Sequence, residues 1–256
     1  MASGDVDRLR DDQWDRLRDL VPGGREGQRG PRCDNRLFVD ALLWMARSGA
    51  RWRDLPERFG DYQAVKRRYY RWIERGAQGG FLAVLTAEAD LEWLMIDSTI
   101  VRAHQHAAGA RNCKGGPDAQ GLGRSRGGLS TKVHAATDAL GNPVRLLFGP
   151  GQRHDATRSH ELIAGLEPKV VIADKGYDAA PLHQAVRDAG AEPVIPARAN
   201  RKERRTYDKA LYKERNLIER FFGKLKQFRR VATRYDKLLA NYEGFVQLAA
   251  ISILLR

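Results

Sequence analysis

The sequence predicts an α/β fold, a mixed sheet flanked by helices and preceded by a small all-helical N-terminal domain. Three observations predict it. Before residue 90, apolar residues recur at helical spacing. Beyond residue 91, apolar runs of strand length alternate with helical segments, the pattern of a layered α/β domain. Gly141 and Asn142 separate two alternating runs, a hairpin signal that adds antiparallel strands to the sheet. The change of pattern divides the chain into residues 1–90 and 91–256, with no internal repeat.

Asp11 to Leu20 reads as a short helix with Trp14, Leu17 and Val21 on one side, stopped by Pro22. Gly23 to Arg32 is a polar loop. Asp34 or Asn35 caps a second helix, whose stripe is Leu37, Phe38, Ala41, Leu42 and Met45 and which Gly49 ends. Tyr62 to Arg75 is a third helix, apolar at Val65, Tyr69, Trp72 and Ile73 and basic at Lys66, Arg67, Arg68 and Arg71. Three short helices ending in one studded with Arg suggest a helix-turn-helix-like DNA-binding module, with Lys66, Arg67, Arg68 and Arg71 as DNA contacts. A plain helical bundle with a solvated basic face is the alternative. Phe81 to Ala89 is a connecting helix.

The second part opens on a strand, Trp93 to Ile96 ending in Asp97, which Thr99 to Val101 continues. Ala107 to Gly128 is a glycine-rich basic loop containing Arg124 and Arg126, expected to track DNA. Leu129 to Asp138 and Val144 to Phe148 form the hairpin. A helix over Ala156 to Leu166, a strand over Lys169 to Ala173 ending in Asp174, a helix over Ala180 to Ala189 and a strand over Glu192 to Ile195 follow. The chain closes with helices over Tyr212 to Lys226 and Asn241 to Leu254.

Composition narrows the function. A hydrophobic fraction of 42% supports a packed core. The net charge is +13. Arg198 to Lys237 holds 15 basic and 5 acidic residues, a net of +10, so the excess is concentrated around one helix. That favours a polyanionic partner, with nucleic acid ahead of a merely soluble cationic protein. Cys33 and Cys113 have no CxxC partner, which excludes a zinc site or disulfide framework of that kind. The first twenty residues carry no apolar leader and Leu248 to Leu255 is too short to span a bilayer, so a cytosolic protein is expected.

The helix over Tyr212 to Lys226 carries the chemistry. At about 100° per residue, Tyr212, Arg215, Glu219 and Lys226 share an arc of about 60°, opposite Leu217, Phe221, Leu225 and Phe228. One acid thus stands among cations. Asp97 and Asp174 each follow an apolar strand run, and ligands of α/β sheets bind at the carboxyl ends of strands. If those strands are neighbours, both aspartates reach one point and the helix can lay Glu219 over it. Three carboxylates without nitrogen or sulfur partners make a hard oxygen site for Mg²⁺ or Mn²⁺. Two such ions activate a water or hydroxyl and stabilise the leaving oxygen of a phosphodiester. Taken singly, an aspartate after a strand is often a turn former, and Asp155 and Asp178 are rivals. His104, His106, His134 and His154 lack zinc spacing and are read as structural or DNA-backbone groups, with a supporting role for His154.

The Tyr212-x2-Arg215-x3-Glu219-x6-Lys226 spacing resembles the signature of DDE transposases of bacterial insertion sequences, closest to the IS-five group. IDSTIVRAHQHA (96–107), GRSRGGLSTKVHAATDALGNPVR (123–145), GQRHDA (151–156) and ADKGYD (173–178) are similar to that group's core blocks, and SGARWRDLPERFG (48–60) to its N-terminal region. The resemblance runs from about residue 10 to the C-terminus. It implies a ribonuclease H-like catalytic fold over 91–256, with Asp97, Asp174 and Glu219 as the catalytic and metal-binding triad for two Mg²⁺ ions (or Mn²⁺). It implies cleavage of the element's ends by water, then in-line attack of the freed 3′-hydroxyl on target DNA. Tyr212, Arg215 and Lys226 would grip DNA near the scissile phosphate. A tyrosine nucleophile is the rival reading for Tyr212, made unnecessary by the metal triad. The partners implied are the terminal inverted repeats and target DNA, with a homodimer on DNA. A non-catalytic repressor derived from a transposase and a metal-dependent nuclease without strand transfer are the alternatives. The 45 residues from Asp174 to Glu219 (219 − 174) leave room for a helix, a strand and a loop but no inserted β-rich subdomain, and put the basic segment Arg198 to Arg205 on the DNA side.

Overall fold

The computed structural model describes residues 8–22, 34–108, 119–125, 127–199 and 205–256. The expected loop over Gly23 to Arg32, both cysteines, Arg126 and most of the basic loop lie outside the described residues. Helices α1 (Asp11–Leu17), α2 (Asn35–Ser48), α3 (Tyr62–Glu74) and α4 (Ala77–Leu85) make the first part. Asp34 caps α2, accepting from the backbone nitrogens of Arg36 and Leu37 at 2.8 and 3.1 Å. Asp61 caps α3 through Ala64 N at 2.9 Å. The expected stripes face inward: Phe38, Leu42 and Met45 on α2 and Val65, Tyr69 and Trp72 on α3 are buried.

The sheet comprises β1 (Trp93–Ala103), β2 (Gly123–Ser125), β3 (Gly128–Thr137), β4 (Pro143–Pro150), β5 (Val170–Ala173), β6 (Glu192–Val194) and β7 (Thr233–Arg234). Its order is β2-β3-β1-β5-β6, with β4 against β3 and β7 against β1. Strand β1 is central. It runs antiparallel to β3 from the Met95–Thr137 pair to the Arg102–Ser130 pair. Its other edge pairs in parallel with β5 as far as Ile96–Ala173, then with β7 at Arg102 and Ala103. Asp97 therefore ends the first apolar run but lies within the strand, which Thr99 to Val101 continue as expected. Pairing with β3 keeps β1 extended past Asp97, while its parallel partner stops beside it.

Between strands lie α5 (Ser159–Ile163), α6 (Ala180–Asp188), α7 (Lys209–Tyr212), α8 (Asn216–Lys226) and α9 (Arg229–Ala232), and α10 (Leu239–Leu254) follows the last strand. Two expected helices are subdivided. The one before β5 starts as a 3-10 turn, Asp155–Arg158, and only then becomes α5. The one over Tyr212 to Lys226 has a 3-10 turn at Lys213–Arg215 between α7 and α8, although Tyr212 and Arg215 keep right-handed helical angles. A 3-10 turn rotates about 120° per residue, so the angular positions around Arg215 shift from those of an ideal α-helix. The buried face of α8 is Ile218, Phe221, Phe222 and Leu225, while Leu217 is only half-buried.

One sheet face, with Met95, Val133, Ala135 and Ile172, packs on α8 and α10; that core continues without a break to Phe38, Leu42, Tyr69 and Trp72 of the first part. The other face, with Leu94, Ile96, Val171 and Ala173, packs on Leu162 and Ile163 of α5 and Leu182 and Val186 of α6. Gly244 lets α3 approach α10: a Cβ there would stand 2.3 Å from Ile73 Cδ1 and 2.6 Å from Tyr69 Oη. The Tyr69 hydroxyl donates to Asn241 O at 2.6 Å. Among the described residues no helix is long and apolar enough to cross a membrane.

Candidate active site

Strand register delivers the two aspartates. Ile96 and Ala173 are the last parallel pair of β1 and β5, so Asp97 and Asp174 each come next in their chains. Asp174 leaves the sheet and caps the 3-10 turn Lys175–Tyr177, accepting from Gly176 N at 2.7 Å. It is thus also the turn former that an aspartate in this place commonly is. Gly176 is needed for this, since a Cβ would stand 2.8 Å from Asp174 Oδ1. Asp97 Oδ1 accepts from Ser98 N at 2.7 Å and Oδ2 accepts from Arg215 Nη1 at 3.0 Å. Burial pushes the Asp97 carboxyl up to about 6; the Ser98 hydrogen bond and Arg215 act against it, and Asp174 and Asp155 add to it.

The helical segment closes the site from above the same sheet face. Arg215 donates to Asp97 with one nitrogen and to Glu219, one turn along, with the other. A single guanidinium therefore joins acids from β1 and α8. Tyr212 lies on its other side, with the guanidinium carbon 5.8 Å from the ring centroid. Arg215, expected as a DNA contact, is engaged by the acids here. Among the described residues, no group of three His, Cys, Asp or Glu side chains converges closely enough to hold a metal as it stands. The donor set nevertheless fits a hard divalent cation: Asp97, Asp174 and Glu219 offer oxygens alone, and a cation already stands between two of them.

The remaining expected contacts divide. Lys226 is exposed two turns along α8 from Glu219, and Arg124 is exposed on β2. Arg67 and Arg71 are exposed on α3, and Lys66 is half-buried with its ammonium 5.6 Å from the Tyr70 ring. Arg68 corrects the expectation. It is 7% exposed, its guanidinium lies 4.0 Å over Phe38 and it donates to Asn35 Oδ1, so it braces α3 against α2 instead of facing a duplex.

Behind the site lie two networks that the sequence reading did not assemble. Asp155 Oδ1 accepts from Ser98 Oγ and from Lys132 Nζ at 2.7 Å, directly after the residue that holds Asp97. The signal was Lys132, a cation in a strand buried on both faces, which demands an internal carboxylate. Arg198 wraps the turn after Asp174, donating to Lys175 O and Gly176 O at 3.1 and 2.7 Å, while its backbone nitrogen donates to Asp178 Oδ2 at 2.9 Å. The fully buried Asp178 carboxylate also meets Arg205 at 3.1 Å and His183 at 3.4 Å. The rivals Asp155 and Asp178 are thus committed to internal cations. His154 Nε2 lies 2.8 Å from Arg198, whereas His104 and His106 stack near Tyr235. His134 is buried, and that burial pulls its imidazole down to about 4.

Comparison with known proteins agrees with this architecture. The chain's fold is similar to that of piggyBac transposase in a synaptic complex with hairpin DNA, with a TM-score of 0.51 and 12% identity over 96% of this chain and 72% of that one. A stretch of 112 residues is 78% identical to an uncharacterized protein of Sinorhizobium fredii, covering 44% of this chain and 90% of that protein. Another of 130 residues is 42% identical to a putative transposase for insertion sequence element IS6501 of Brucella ovis, covering 50% of this chain and 100% of that protein. Residues 9–79 match the family described as a putative transposase of the IS4/5 family. Residues 89–255, most of the chain, match the transposase DDE domain, and the protein therefore belongs to the DDE transposases of insertion sequences.

Proposed function

We propose that this transposase cuts the ends of its element and joins them to target DNA, using Asp97, Asp174 and Glu219 to hold two Mg²⁺ ions, replaceable by Mn²⁺. The observation that carries the reading is the pair of contacts from Arg215 to Asp97 and Glu219, which bring a strand acid and a helix acid to one cation. Asp97, Asp174 and Glu219 would hold the ions through carboxylate oxygens alone. When bound, the metals supply activation of the attacking oxygen and stabilisation of the leaving one. The chain's own residues position and hold. The Ser98 amide fixes Asp97, and the Gly176 amide fixes Asp174. Lys226, Tyr212 and Arg215 lie along the helical segment as phosphate contacts, with Arg124 on β2 in that role and Arg126 assigned to it from the sequence alone. Residues 1–90 serve as the DNA-binding part through Lys66, Arg67 and Arg71, and two copies hold the two ends together.

The test is a strand-transfer assay with element-end DNA, supercoiled target and Mg²⁺. The expected result is end DNA joined through its 3′-hydroxyl to target. Cleaved but never joined ends would reduce the protein to a nuclease, and binding without cleavage would defeat the catalytic reading.

A further inference from the structure

Resting on that catalytic reading, we propose that Arg215 is an exchangeable cation that couples metal binding to DNA binding. It neutralises Asp97 and Glu219 when neither ligand is bound, and it passes to a DNA phosphate when a divalent ion takes the carboxylates.

The argument starts from which oxygens are engaged. Asp97 Oδ1 is held by the Ser98 amide, so Oδ2 is the oxygen free to turn toward a ligand, and Arg215 holds it at 3.0 Å. The second nitrogen of the same guanidinium holds Glu219 Oε1. A divalent ion recruiting Asp97 and Glu219 therefore meets Arg215 first. The guanidinium cannot leave by losing its proton, so it leaves as a cation and needs another anion. The chain offers few, since Arg198 to Lys237 holds 15 basic and 5 acidic residues. The missing anion comes from outside, and a phosphodiester suits the planar fork of an arginine.

The local geometry permits the exchange. Glu219 is 50% exposed and lies one helical turn from Arg215, so a change of rotamer parts them without moving the backbone. The Tyr212 ring, 5.8 Å from the guanidinium carbon, keeps the cation beside the site as it moves. Because the acids and the phosphate compete for one guanidinium, metal and DNA must each strengthen the other's binding by the same factor.

The experiment is calorimetric titration of Mn²⁺ into the full chain, with and without an uncleavable element-end duplex, for the wild type, Arg215→Gln and Arg215→Lys. The wild type is expected to bind Mn²⁺ about tenfold more tightly when DNA is present. Arg215→Gln is expected to bind Mn²⁺ more tightly than wild type without DNA, and to lose most of the gain that DNA brings. Arg215→Lys, which keeps the charge but loses the planar fork, should fall between them and carries the test if Arg215→Gln does not fold. An undiminished DNA-dependent gain in the variants, or weaker Mn²⁺ binding by them without DNA, overturns the proposal. A separate control, Glu219→Gln, addresses the reading beneath it: Mn²⁺ affinity unchanged by that substitution would remove Glu219 from the metal site whatever Arg215 does.

Discussion

At the scale of single residues, Asp97 carries a cost that the proposed metal-binding role explains. Burial raises its carboxyl to about 6 from an ordinary 3.8. The folded chain thus holds this proton more tightly than the unfolded chain. Its favourable contribution is complete below about pH 3.8 and is lost as pH rises through about 6. Above that the charged carboxylate destabilises the fold by up to about 3 kcal/mol, two pKa units at about 1.4 kcal/mol each. Asp97→Asn removes the charge, so in metal-free buffer at pH 7.5 it should be more stable than wild type by up to that amount. The difference should vanish toward pH 4. Chemical denaturation across that range measures it, and an equally or less stable variant at pH 7.5 would contradict the assignment. His134 and His183, both held down near 4 by burial, work in the opposite sense by losing stability as pH falls below about 6.5. They are present in both proteins and cancel in the difference. The three acids were singled out in the sequence because two follow apolar runs and one interrupts a cationic stripe, and the contacts of Arg215 join two of them. The partner of Arg215 was not, because helical spacing shows which side chains share an arc but not which of them bonds to a strand.

At the scale of elements, most strands and helices were legible from apolar spacing and caps, and the differences have local causes. Strand β1 was read as an apolar run to Asp97 continued by Thr99 to Val101, and pairing with β3 along Met95 to Arg102 keeps it extended across the aspartate. The helical segment was read as unbroken because a 3-10 turn leaves no strong mark in a charged stretch such as Lys213–Arg215. Arg68 could not be told from Arg67 and Arg71 by residue type, since burial over Phe38 depends on how α2 meets α3. The turn after β5 bears a specific consequence. A Cβ at Gly176 would crowd Asp174 Oδ1 at 2.8 Å and displace the carboxylate from the amide that holds it. Gly176→Val should therefore slow end cleavage by about 10²-fold, the loss expected from a displacement of about an ångström at a reacting centre. Single-turnover kinetics measures this, and a wild-type rate would show that the turn does not set the position of Asp174.

At the scale of the molecule, the helical first part does not stand apart from the sheet. Tyr69 reaches Asn241 in α10 across Gly244, and Trp52 and Tyr69 lie 6.0 and 4.6 Å from the Phe245 ring. The last helix is apolar enough in sequence to be read as packing on the sheet, but its sequence does not show that α3 supplies part of its cover. The same core fixes α8 over the sheet through Ile218, Phe221, Phe222 and Leu225, so packing on one side of that helix determines where Glu219 stands on the other. The central claim is that Asp97, Asp174 and Glu219 form one catalytic centre. Its most direct test is the rate of Mn²⁺-dependent cleavage of element-end DNA by Asp97→Asn, Asp174→Asn and Glu219→Gln, each checked for DNA binding at least as tight as wild type. The account predicts that all three fall to the uncatalysed background, and wild-type cleavage by any one of them would contradict it.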